Sequence, residues 1–302
     1  MRRPAPILAT PVVRTDEPIS LVVTDLDGTL WDRDGRVHEH TLEALVELDR
    51  RGLPVLAATA RRPASARRVM DANRLLLPAV LFDGSLGKDF ATGETFHRAV
   101  FEPAHASAVL EALVLVGLEP CVNVDGEPRD AVVGRSPATH AAHLQFIAPW
   151  SRKQDLQRAV RELPVLSFVI CGREREVLLP ALDAVRGLAA STVSPDLTYG
   201  GSTLSVRPRG VSKWNGVLSF CRRRGLDPGR VLAIGDGDND LELLQSAAIA
   251  CAVADGCEAV LRVAQHQLRP AREGGWSAIL EILADTSAPR ADTSRSLRER
   301  LL

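Results

Sequence analysis

The stretch Leu21-Val22-Val23-Thr24-Asp25-Leu26-Asp27-Gly28-Thr29 reads as a strand that stops in a polar loop. A short apolar run ended by a carboxylate and a glycine has the form of a parallel strand covered on both faces, because such strands lose the alternation of half-exposed ones. The same form recurs at Pro54–Thr59 and Ala79–Phe82, and later at Arg230–Ile234 and Ile249–Val253. Helical patterns separate the first three. His40–Arg51 carries Leu42, Leu45, Val46 and Leu48 at helical spacing, with Gly52 suited to end it, and Arg62–Arg74 forms a second. Strands alternating with helices predict an α/β protein on a doubly wound, Rossmann-like parallel sheet.

The pattern changes near Gly84. Lys88–Val100 reads as a hairpin turning at Ala91–Glu94. Helices are expected at Pro103–Gly117, Ser151–Leu163 and Glu174–Leu188, and strands at Glu119–Val124, Val165–Cys171 and Ser191–Val193. This mixture predicts an α+β unit at about residues 85–195, inserted into a core of residues 18–84 and 196–285. The parallel-sheet pattern resumes at Thr203–Arg207, with helices to follow at Val211–Arg224, Asp238–Ala247 and Trp276–Leu283. Residues 1–17 (rich in Pro and Arg) and 286–302 (rich in Ser, Arg and Asp) read as tails.

Composition excludes several function classes. The chain has 302 residues, 37 basic and 38 acidic, for a net charge of −1. That argues against a broad basic surface for nucleic acid and against a highly charged disordered chain. No apolar run approaches the ~20 residues that cross a bilayer, and Pro4, Pro6 and Pro11 break the N-terminus where a secretory signal would be continuous. Five cysteines without CxxC spacing fit neither a disulfide framework nor a structural zinc site, and read as small buried apolar residues. A soluble, cytoplasmic protein is expected, with its oligomeric state left open.

Three of the expected core strands end in related polar groups: Asp25-Leu26-Asp27, Thr59-Ala60-Arg61 and Gly235-Asp236-Gly-Asp-Asn239-Asp240. Ligands of open α/β sheets bind beyond the carboxyl ends of the strands, so these ends converge if the strands are neighbours. Two carboxylates about 4 Å apart repel by roughly 4 kcal/mol at an effective dielectric of 20. A cluster of Asp25, Asp27, Asp236 and Asp240 therefore calls for a cation or a buried proton. All the donors are hard oxygens, which favours Mg²⁺ and, with it, phosphate chemistry.

These motifs resemble the haloacid dehalogenase superfamily of phosphatases, and most of all its Cof-type branch with a large α/β cap. The resemblance runs over about residues 20–285 and rests on Asp25-Leu-Asp-Gly-Thr29, Thr59, Lys213 after Arg207-Pro-Arg-Gly210, and Gly235–Asp240; Asp83-Gly84 through Thr92-Gly-Glu94 resembles the way into the cap. It implies that Asp25 is the nucleophile, forming an aspartyl-phosphate, and that Asp27 is the acid and then the base, with a raised pKa. It implies Mg²⁺ held by the Asp25 carboxylate, the Asp27 carbonyl and Asp236. Thr59, Lys213 and the backbone N–H groups at Leu26 and Ala60 would bind phosphate, while Asn239 and Asp240 orient a metal water or Lys213. Arg61, Asp83 and Gly84 are candidate substrate contacts. The chain departs from the pattern at Ala60, Trp214 and Asp83, where the family often has Gly, Gly and Asn; Asp83 is expected to put negative charge near the mouth.

The implied activity is hydrolysis of a small phosphorylated metabolite such as a sugar phosphate. A phosphotransferase or phosphomutase, and a binding module without turnover, remain alternatives on the same scaffold. Arg61 reads equally as a solvated helix arginine. Arg222–Arg224 is expected at an exposed helix end, which its charge suits. His140, His143 and Trp150 read as packing, and Asp125-Gly-Glu127 as a turn or a specificity loop.

Overall fold

The computed structural model describes residues 17–126, 128–196 and 198–287, so the proposed tails lie almost wholly outside the described residues. In chain order the strands are β1 (Leu21–Thr24), β2 (Val55–Ala58), β3 (Ala79–Leu81), β4 (Leu86–Lys88), β5 (Thr95–Arg98), β6 (Cys121–Val124), β7 (Ala131–Val133), β8 (Ser151–Lys153), β9 (Val165–Arg173), β10 (Ala190–Pro195), β11 (Ser202–Arg207), β12 (Val231–Gly235), β13 (Ile249–Val253) and β14 (His266–Leu268). They form two sheets, an eight-stranded one in the order β14-β13-β12-β1-β2-β3-β4-β5 and a six-stranded one in the order β10-β11-β9-β6-β7-β8.

The first sheet is the expected doubly wound core. From β14 to β3 neighbouring strands run parallel, with Val22 opposite Leu232 on one side and Val55 on the other. Leu21 and Val23 point into one apolar layer and Val22 into the opposite one, which is why the run shows no polar alternation. Helix Glu39–Arg50 covers one face through Ala44, Leu45 and Leu48, while Val46 is exposed. Helix Lys213–Arg224 covers the other through Val217, Phe220 and Cys221. It lies close to β3, since a Cβ on Gly216 would sit 2.4 Å from Val80. Strand order reverses between β1 and β12, and the crevice at such a switch is where open α/β sheets bind ligands.

The second sheet backs onto its own apolar layer under helices Pro103–Leu115, Leu156–Glu162 and Arg175–Ala184. The molecule is thus a Rossmann-like core carrying a cap. Two expected elements change sheet. The hairpin β4–β5, placed at the start of the inserted unit, pairs with β3 and extends the core. Its ring Phe96 packs 5.2 Å from Phe220 of the core helix. Conversely, the strand at Thr203–Arg207, expected in the core, lies between β10 and β9 of the cap. Its alternation is that of a half-exposed antiparallel strand, with Leu204 and Val206 inward. The chain therefore passes between sheets near residues 99–102 and 208–212. Ser151–Leu163 is a strand followed by a helix rather than one helix, and β7 and helix Ala141–Ile147 had no counterpart in the sequence reading. No helix among the described residues is long and apolar enough to cross a membrane.

Candidate active site

The β1 ladder ends with the Asp25 N–H donating to the Ile234 carbonyl at 2.9 Å, which leaves the Asp25 side chain at the carboxyl edge of the sheet. There it is buried. Lys213 opens its helix beside it, and its Nζ lies 2.7 Å from both Asp25 Oδ1 and Asp240 Oδ1. The other Asp240 oxygen accepts the N–H groups of Asp236 (3.1 Å) and Gly237 (3.0 Å), so Asp240 shapes the loop after β12. Asp236 Oδ1 accepts the Thr29 hydroxyl at 3.0 Å. Gly28, at φ +78, runs so close that a Cβ would stand 2.5 Å from Asp236 Oδ2.

Asp25, Asp236 and Asp240 can each offer an oxygen within 4.8 Å of the others. Since Asp240 is taken up by Lys213 and two backbone donors, Asp25 and Asp236 keep the lone pairs a cation would use. Their electrostatics agree. Burial raises the Asp25 carboxyl well above its ordinary range, with Lys213 pulling the other way. Burial and then the Asp240 charge push Asp236 up to about 7. Burial would discharge Lys213, but Asp240 and Asp25 hold it protonated. One ammonium does not balance this group of acids, and an all-oxygen donor set fits a hard divalent cation such as Mg²⁺.

Asp27 corrects the sequence reading. Its carboxyl was expected to have a raised pKa, yet it lies below the ordinary value: burial acts to raise it, but hydrogen bonds from Arg61 and Trp31 and the Arg61 charge prevail. Arg61 Nε and Nη2 each donate to Asp27 at 2.6 Å, Nη1 donates to Ser65 Oγ at 2.8 Å, and the guanidinium lies 5.6 Å over the Trp31 ring. Arg61 is therefore held against Asp27 rather than standing free as a solvated helix arginine. Thr59 is buried at the end of β2 with its hydroxyl accepting the Arg61 N–H at 3.1 Å; Ala60 is exposed and Leu26 is buried behind Asp25.

Asp83 also differs from expectation. Its carboxylate is buried, only 2% exposed, and accepts from Asn239 Nδ2 at 2.9 Å with Arg207 Nη1 3.7 Å away. It is buried beside the site rather than exposed at its mouth, and its charge acts on Lys213. Phe82 and Asp83 both have left-handed backbones, φ 50 and 53, a strain on the order of 1 kcal/mol or more each outside glycine. Gly84 lies against Ser212, whose carbonyl oxygen would be 2.0 Å from a Cβ. Trp214 packs on the apolar layer under the sheet, so a bulky residue there fills core space. No local pattern marks Trp31, Ser65 or Arg207 in the sequence, because their contacts cross between distant segments or lie one helical turn from Arg61.

The cap stands over these groups. Arg62, buried at the start of helix Pro63–Ala72, donates to Asn123 of β6 at 2.7 Å and lies 3.4 Å from Asp130. His140 stacks on Tyr199 at 5.9 Å, and Tyr199 lies within electrostatic reach of Arg61 and Arg62. His143 contacts Thr139 at 2.9 Å, and burial followed by the Arg62 charge pushes it down to about 4, as for a neutral packed ring. Trp150 packs on Phe146. Asp125 pairs with Arg98 of β5, and Glu127 lies outside the described residues. Arg222–Arg224 is an exposed helix end, where Arg224 binds Asp89 at 2.7 Å. Burial lifts the thiols of Cys121, Cys171 and Cys251 to about 12, which suits packing and not attack.

Comparison with known proteins points the same way. The sequence profile of the haloacid dehalogenase-like hydrolases matches residues 22–280. A phosphoglycolate phosphatase of Methanopyrus kandleri is 26% identical over 268 residues, covering 88% of this chain and 97% of its own. A 5-amino-6-(5-phospho-D-ribitylamino)uracil phosphatase of Bacillus subtilis is 25% identical, covering 86% and 96%. Among solved structures, a haloalkanoate-superfamily phosphatase from Bacteroides thetaiotaomicron superposes with a TM-score of 0.72 at 19% identity, covering 88% of this chain and 96% of the other. A haloacid dehalogenase-like hydrolase from B. subtilis superposes with a TM-score of 0.73 at 15% identity, covering 87% and 99%.

Proposed function

The chain belongs to the haloacid dehalogenase-like hydrolase family, and on that footing we propose that it is a Mg²⁺-dependent phosphatase of small phosphomonoesters, of the Cof type, working through an aspartyl-phosphate on Asp25. The observation that carries the reading is the buried Asp25 carboxylate, with Lys213 Nζ at 2.7 Å and Asp236 near enough to share a cation.

Asp25, Asp236 and the Asp27 backbone carbonyl would hold Mg²⁺, which when bound offsets the repulsion between an anionic nucleophile and an anionic phosphate. An Asp25 oxygen forms the bond to phosphorus as the bond to the leaving oxygen breaks. Asp27 gives that oxygen its proton. To do so it must first exchange its Arg61 partner for a proton, and an arriving phosphate dianion is the natural competitor for Arg61. In the second half Asp27 takes a proton from water, the water oxygen bonds to phosphorus, and Asp25 is released. Thr59, Lys213 and the N–H groups at Leu26 and Ala60 bind the phosphoryl oxygens. Asn239 and Asp240 hold the loop that carries Asp236.

A cap over the site suits a small substrate, since closure excludes water during transfer. The relatives' named substrates, phosphoglycolate and a phosphoribitylamino-uracil, are small phosphomonoesters. Tyr199, within electrostatic reach of Arg61, is the cap residue we assign to the leaving group. The test is phosphate release from an aryl phosphate and a panel of sugar and polyol phosphates, with and without Mg²⁺. Turnover that needs Mg²⁺ and vanishes in Asp25→Asn is expected. Turnover retained in Asp25→Asn would refute the nucleophile, and label moved to a second hydroxyl would mark a phosphotransferase.

A further inference from the structure

We infer that Asp83 is a positioning residue: its buried carboxylate joins Asn239 of the cation loop to Arg207 of the cap sheet, and thereby fixes the loop that presents Asp236. The inference rests on Asp236 being a cation ligand.

The backbone around Asp83 already gathers the site. Phe82 N–H donates to the Arg61 carbonyl at 3.1 Å and Asp83 N–H to the Thr59 carbonyl at 3.0 Å, which ties residues 82–83 to the phosphate-binding loop. Gly84 lies against Ser212, the residue before Lys213. Two consecutive left-handed residues, one a bulky phenylalanine, persist only where the surroundings over-determine them. The detour carries the side chain of residue 83 toward the loop after β12.

The carboxylate then reaches two further segments. It accepts from Asn239 Nδ2 at 2.9 Å, so the loop of residues 236–240 is pinned here as well as through Asp240. Its other oxygen faces Arg207 Nη1 at 3.7 Å. Arg207 ends β11 and also donates to the Val211 carbonyl at 2.9 Å and to Thr192 of β10 at 3.3 Å. It thus belongs to the cap at the point where the chain returns to Lys213. An amide at residue 83 would accept from Asn239 equally well. A charged group in an already acidic pocket is costly without a partner, and Arg207 supplies that partner. Contact with the loop needs the acceptor, and contact with the cap needs the charge.

The experiment is calorimetric titration of Mg²⁺ into metal-free protein, with melting temperatures in parallel, for the unaltered chain, Asp83→Gly, Asp83→Asn, Arg207→Met and the double variant Asp83→Asn/Arg207→Met. Glycine accepts φ 53 without strain, so Asp83→Gly tests the carboxylate alone. Its Mg²⁺ affinity is expected to fall about tenfold, the lower end of the loss seen when a ligand's own hydrogen-bond partner is removed, because Asp83 acts through Asn239, while Asp83→Asn falls less. Arg207→Met weakens binding, and the double variant loses less than the sum of its parts. Mg²⁺ affinity of Asp83→Gly within about twofold of the unaltered chain, whatever its melting temperature, overturns the inference. Should Asp83→Gly not fold, additive losses in the Asp83–Arg207 cycle overturn it instead. Absence of Mg²⁺ binding by the unaltered chain would remove the cation site and this inference together.

Discussion

Arg61 grips Asp27 with two hydrogen bonds of 2.6 Å, so the side chain proposed to deliver a proton is held as an anion. The grip keeps the Asp27 pKa low against the effect of burial. Replacing Arg61 with methionine leaves the burial and removes the counter-charge, and the Asp27 carboxyl then titrates at higher pH. The basic limb of kcat/KM should move upward for alkyl phosphates, whose leaving group needs the proton. Aryl phosphates, with better leaving groups, should show little movement. Superimposable alkyl profiles for Arg61→Met and the unaltered enzyme would contradict this coupling.

Asp236 gives a second pH dependence. Its carboxyl is raised from an ordinary 3.8 to about 7 in the folded chain without metal. Mg²⁺ must displace that proton, so its affinity should fall as pH drops below 7, by up to about tenfold per unit. Measured at pH 6 and pH 8, the dissociation constant should be weaker at pH 6, with protons released on binding. Stability follows with a definite sign. The raised folded-state pKa contributes stability that is fully present below 3.8 and is lost as pH rises to about 7. The metal-free protein should lose stability across this window, and Mg²⁺ should restore more at pH 8 than at pH 5. Equal thermal shifts at the two pH values would be inconsistent with it.

Lys213 is buried between two carboxylates, and removing one member of such a set leaves charge uncompensated. Lys213→Met should lose turnover and be destabilised by about 3–5 kcal/mol. Because the buried Asp25 carboxyl, already raised by desolvation, loses the Lys213 charge that opposes the rise, it can then protonate and the deficit should shrink at lower pH. Denaturation at pH 8 and pH 5.5 checks this. A deficit that does not depend on pH would point to lost packing around the aliphatic stem.

The parts of the fold that were legible in the sequence are those governed by local rules. β1, β2 and β12 announce themselves because burial on both faces demands unbroken apolar runs, and Asp25 and Asp236 stand out because they end such runs. Sheet membership was less legible. β4 has only three residues and joins the core by a local turn back onto β3, while the pairing that places β11 in the cap, Leu204 opposite Ile170, joins residues far apart in sequence. At the site, the acidic cluster could be inferred from motif spacing. The state of Asp27 could not, because it depends on Arg61, a residue 34 positions away that follows the neighbouring strand β2. The burial of Asp83, expected near the mouth, was hidden for a related reason: the partners that make it tolerable, Arg207 and Asn239, lie far along the chain.

Gly28 offers a test of the cation site that leaves every ligand in place. Its φ of +78 disfavours any side chain, and a Cβ would meet Asp236 Oδ2 at 2.5 Å. Moving Asp236 aside would strain or break the hydrogen bond that its other oxygen accepts from the Thr29 hydroxyl at 3.0 Å. In Gly28→Ala the backbone should carry a penalty of roughly 1–2 kcal/mol, and the carboxylate should be forced away from Asp25. Gly52 supplies the control: its φ is +66 and nothing lies within 4 Å of a Cβ there. Gly52→Ala should show a comparable stability loss with Mg²⁺ binding intact. Gly28→Ala should bind Mg²⁺ at least about tenfold more weakly, since ligand placement and not backbone cost differs between the two. Matching Mg²⁺ affinities in the pair would show that the close approach of Gly28 to Asp236 does not shape the site.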